Sequence, residues 1–70
     1  MIVKIQKRLD DPRAPLLVYQ RRRRGIRFVP VIDMPLRVIT AVASGHPAYF
    51  EATIENDSYV IGERVGDQPW

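Results

Sequence analysis

Residues 48–65, AYFEATIENDSYVIGERV, constrain the fold more than any other stretch of the chain. Ala48, Phe50, Ala52 and Ile54 alternate with Tyr49, Glu51, Thr53 and Glu55, the period of a strand with one buried and one solvated face. Asn56 and Asp57 follow, and both accept the left-handed backbone of a two-residue hairpin turn. With these two in the turn, Ile54 faces Tyr59, Ala52 faces Ile61 and Phe50 faces Glu63. On the other side Thr53 faces Val60 and Tyr49 faces Arg64, the latter a candidate cation–π pair.

Alternation recurs upstream. Val3, Ile5 and Leu9 share one side of the first run with Lys7, while Lys4, Gln6 and Arg8 give the other a basic surface. Asp10, Asp11, Pro12 and Pro15 end that run, because proline lacks a ladder donor and aspartate bonds local backbone. Leu16 to Gln20 and Ile26 to Val31 read as two strands joined by Arg21–Gly25. Pro30 marks the second as an edge strand or a bulge.

Helical signals gather only between Asp33 and Gly45. Asp33 suits an N-cap and Pro35 the first turn; Leu36, Ile39, Val42 and Ala43 fall on one stripe; Gly45 before His46–Pro47 forms a stop. The β-branched Val38, Ile39, Thr40 and Val42 oppose a helix. The expected fold is mainly β, of the α+β kind. About five strands form a small twisted antiparallel sheet, or a partial SH3-like or OB-like barrel, with one short helix before the last hairpin.

Seventy residues make one domain, near the lower limit for a self-sufficient apolar core, and 46% hydrophobic residues are enough to form one. Without cysteine there is neither a disulfide nor a thiolate metal site. No stretch approaches the roughly 18 apolar residues of a membrane span, and the lysine-bearing start does not read as a signal peptide, so a cytoplasmic setting is expected. The single histidine, His46, cannot make the usual zinc site, and no nucleophile, phosphate-loop or dinucleotide motif occurs. The carboxylate pairs Asp10–Asp11 and Glu51–Glu55 read as solvated surface. The expectation is therefore a binding protein with no catalytic residue and no cofactor.

Charge points to the binding surface. Through Arg37 there are ten basic residues against three acidic ones, and beyond it one against five. Arg21, Arg22, Arg23 and Arg24 concentrate the excess at a hairpin tip, with Arg27, Lys4 and Arg8 as supports wherever the first three strands are neighbours. Guanidiniums about 6 Å apart repel by only ~0.7 kcal/mol in water, so a solvated loop holds four of them without any partner. Their planar forks also suit phosphate oxygens, which makes the phosphate backbone of DNA or RNA the first candidate partner. The alternative is an acidic protein partner, or a second copy of the chain in a homodimer, meeting Phe28, Val29, Val31 and Trp70.

Overall fold

The computed structural model describes residues 1–11 and 13–66. Strands β1 (Ile2–Gln6), β2 (Leu16–Gln20) and β3 (Arg27–Val29) are followed by a 3-10 turn at Val31–Asp33 and helix α1 (Leu36–Val42). Strands β4 (Ala48–Glu55) and β5 (Ser58–Val65) close the described chain. All five strands join one antiparallel sheet in the order β3-β2-β1-β4-β5. The mainly β, α+β architecture with a helix before the last hairpin is thus present.

Alternation sorts the sheet's side chains. Val3, Ile5, Leu16, Val18, Ala48 and Phe50 are buried on the face beneath α1, where Val38 and Val42 of the helix and Met34 meet them. A seven-residue helix has no stability of its own in water. Burying each valine contributes roughly 1.5–3 kcal/mol, which holds α1 against the sheet. Arg37 fastens it further, with its guanidinium 5.9 Å from the Phe50 ring centre and an Nη2 donating to the Ile61 carbonyl at 2.7 Å.

The helix is shorter than the sequence signals imply, and its cap differs. Asp33 closes the 3-10 turn, donating its N–H to the Pro30 carbonyl at 2.9 Å, and Pro35 occupies the N-cap position. The cause lies in Pro35, which forces the residue before it out of the helical region. Met34 is extended, at φ −103° and ψ 142°, so no helix runs from Asp33 through it. The buried stripe shifts to Val38 and Val42, leaving Leu36 and Ala43 exposed. Gly45 does follow the helix as a stop, with φ of 91°.

Two strand expectations also change. Pro30 has no N–H to give, so β3 ends at Val29, and Val31 belongs to the 3-10 turn. β1 ends at Gln6, before Lys7 and Leu9. In the last hairpin Asn56 (φ 51°) and Asp57 (φ 62°) form the turn, and the pairs Ile54–Tyr59, Thr53–Val60 and Ala52–Ile61 are as expected. A bulge then sets two residues, Gly62 and Glu63, against Glu51. Phe50 consequently faces Arg64 and Tyr49 faces Val65, in place of the expected Phe50–Glu63 and Tyr49–Arg64 pairs.

Candidate nucleic-acid interface

Six residues, 21–26, connect β2 to β3. The Arg23 N–H donates to the Gln20 carbonyl at 3.3 Å, closing a turn in which Arg22 is held at a left-handed φ of 65°. Gly25 has φ of 97°, and a Cβ there would meet nothing within 4 Å. Backbone conformation, not space, therefore requires the glycine. Arg21, Arg22, Arg23 and Arg24 are all exposed, and among the described residues none of the four has an acidic partner.

The loop straddles the end of the sheet. On one side Arg21 lines a shallow hollow of about 450 Å³ with Ile2 and Glu51, which lie on the face away from α1. On the other, Arg23 and Arg24 border a hollow of about 270 Å³ with Arg27 and Tyr59, on the helix side. Cationic groups are thus offered in both directions from a single turn.

Arg27 links the loop to the far edge of the sheet. It pairs with Val18 across β2 and β3, so its side chain points to the helix side. There its Nη2 donates to the Asp57 carbonyl at 2.6 Å, and its guanidinium lies 5.5 Å from the centre of the Tyr59 ring. The Gln20 amide donates to the Tyr59 hydroxyl beside it. β3 and β5 are the two ends of the strand order, so these contacts show a sheet curled until its edges meet through side chains.

The remaining basic residues separate. Lys4 sits on the face away from the helix, in register with Tyr19 on one side and Tyr49 on the other, its Nζ 4.7 Å from the Tyr19 ring centre. Arg8 does not join the loop. Val3 pairs with Gln20 and Gln6 with Leu17, so the loop lies at the start of β1 and Arg8 beyond its end. Arg8 instead holds Asp10 through two hydrogen bonds, at 3.1 and 2.6 Å. That pairing keeps the Asp10 carboxyl below the usual aspartate range and raises the Arg8 guanidinium.

The residues considered for a protein interface also divide. Phe28 is 59% exposed opposite Leu17, whereas Val29 and Val31 pack against the core and present little surface. Trp70 lies outside the described residues. Asp11 accepts the Arg13 N–H, and Glu51 stands 3.8 Å from the Met1 amino group, so these carboxylates have local structural partners. Among the described residues no cluster of His, Asp and Glu is arranged to hold a metal, and no helix is long and apolar enough to cross a membrane.

Sequence reasoning missed Tyr19, Gln20 and Tyr59. The alternation in LLVYQ places Tyr19 away from the core, but its position beside Lys4 needs the strand order, which is non-local. Comparison with protein-family models, with curated proteins and with solved structures gives no significant match.

Proposed function

We propose that this chain is a non-enzymatic nucleic-acid-binding domain whose β2–β3 loop grips phosphate backbones with little sequence selectivity. The supporting observation is the set of four exposed arginines, without acidic partners among the described residues, on one anchored turn. Each guanidinium can take two phosphate oxygens, and Arg27, tied to Asp57 and Tyr59, fixes where the loop leaves the sheet. Among the described residues the one α-helix, α1, has seven residues, too short to serve as a recognition helix in a major groove. Backbone contact is therefore the mode that fits, on DNA or RNA alike.

Fluorescence anisotropy with labelled oligonucleotides tests this reading. Four phosphate contacts predict that binding weakens about a hundredfold between roughly 50 and 200 mM salt. Replacing Arg21–Arg24 with alanine should abolish binding while circular dichroism shows the fold retained. A native chain that binds no oligonucleotide at the lower salt rejects the proposal.

One observation favours a second reading, an interface with another chain. Ile32, in the 3-10 turn, is 90% exposed, and Leu36, at the start of α1, is 77% exposed. Such a pair suits a symmetric contact with a second copy of the chain.

A further inference from the structure

We infer that the sheet face away from α1 is a stacking platform for unpaired bases, so that the ligand is single-stranded nucleic acid. The inference rests on the proposed phosphate grip of the arginine loop and names the kind of strand that the grip serves.

Three neighbouring strands bring the relevant groups together. Lys4 on β1 is in direct register with Tyr19 on β2 and Tyr49 on β4, so two tyrosines flank the lysine position across the sheet. At the usual spacing of neighbouring strands the rings are about 10 Å apart. Both are partly buried, with part of each residue left open to solvent, and Phe28 on β3, 59% exposed, extends the surface toward the sheet edge. No side chain that alternation places on this face is buried among the described residues.

Charge gives the surface its direction. Arg21 lies two residues along from Tyr19 and lines the hollow with Ile2, which belongs to the same face. Arg21 begins the turn directly after β2, so a strand whose phosphate meets Arg21 carries its base toward the Tyr19 ring. Lys4, whose Nζ lies over that ring 4.7 Å from its centre, adds a second cation at the Tyr19 position. Glu51, which shares that hollow with Arg21, and Glu55 follow Tyr49 along β4 toward the arginine-loop end of the sheet, so they bound the strand's path on that side. Aromatic faces accept any base, so the platform selects for unpaired strands and not for sequence. A duplex keeps its bases stacked internally and offers the platform only its backbone.

The experiment compares a short oligothymidine, an abasic strand of equal length and a duplex of equal length, at low salt. All three carry phosphates, and only the first offers free bases. The platform predicts that the native protein binds oligothymidine roughly tenfold or more tightly than the abasic strand. Tyr19→Ala should remove that preference and Tyr19→Phe keep it, with duplex affinity unchanged in both. Equal affinity for the thymidine and abasic strands overturns the platform and leaves the arginine grip standing. A base preference that survives both Tyr19→Ala and Tyr49→Ala also overturns it. Binding to none of the three removes grip and platform together.

Discussion

Arg22 is the residue at which structure and proposed role pull apart. An L-residue at φ 65° costs roughly 1 kcal/mol relative to glycine, because Cβ crowds the following carbonyl oxygen. In a chain this small that is a sizeable share of the total stability. Arg22→Gly should therefore raise the unfolding midpoint, read by thermal circular dichroism, while removing one phosphate contact and flattening the salt dependence of binding by about one unit of slope. A variant that is neither more stable nor weaker in binding would show that the turn is indifferent to its occupant. The arginine run itself was legible in the sequence, as was the turn at Asn56–Asp57. What no sequence pattern announced is that one of the arginines occupies the strained position.

Among the elements, the contact between β3 and the β4–β5 turn matters most. Arg27 is exposed, so its hydrogen bond to the Asp57 carbonyl and its place over Tyr59 together stabilise by about 1 kcal/mol. Arg27→Ala should lower the melting temperature by roughly 5 °C in a domain of this size. It should also increase amide exchange in the 21–26 loop, because β3 has only three residues to hold that loop in place. Alternation and turn chemistry act locally, which is why β2 and the last hairpin could be read from the residues. The bulge carried one local sign, the isolated Gly62 inside an apolar-polar repeat. The helix start failed for a reason also written in the chain: Pro35 excludes Met34 from the helix, and that exclusion outweighs the capping tendency of Asp33. The link between β3 and the last hairpin had no local sign at all, since it depends on how far the sheet curls.

For the molecule as a whole, the Cα radius of gyration over the described residues is 11.1 Å, close to the value of about 11 Å expected for a compact monomer of this length. The arginine loop lies at one end of the sheet and the Arg8–Asp10 pair beyond the other end of β1, so the basic half of the sequence does not fold into a single patch. The second reading is decided by sedimentation: a symmetric contact through Ile32 and Leu36 makes the native chain run as a dimer, and changing both to serine returns it to a monomer. Because these side chains are exposed, the double variant should keep its stability within about 0.5 kcal/mol. A native chain that sediments as a monomer excludes that contact. One feature of the sheet bears on how such a molecule stays dispersed. β5 is an eight-residue outer strand, long enough to template the addition of foreign strands. The bulge at Gly62–Glu63 interrupts its regular ladder, and Glu63 and Arg64 put opposite charges beside the break. An incoming strand would find a kinked and charged margin in place of a flat one, so the irregularity that upset the hairpin register also acts as a safeguard against fibril growth.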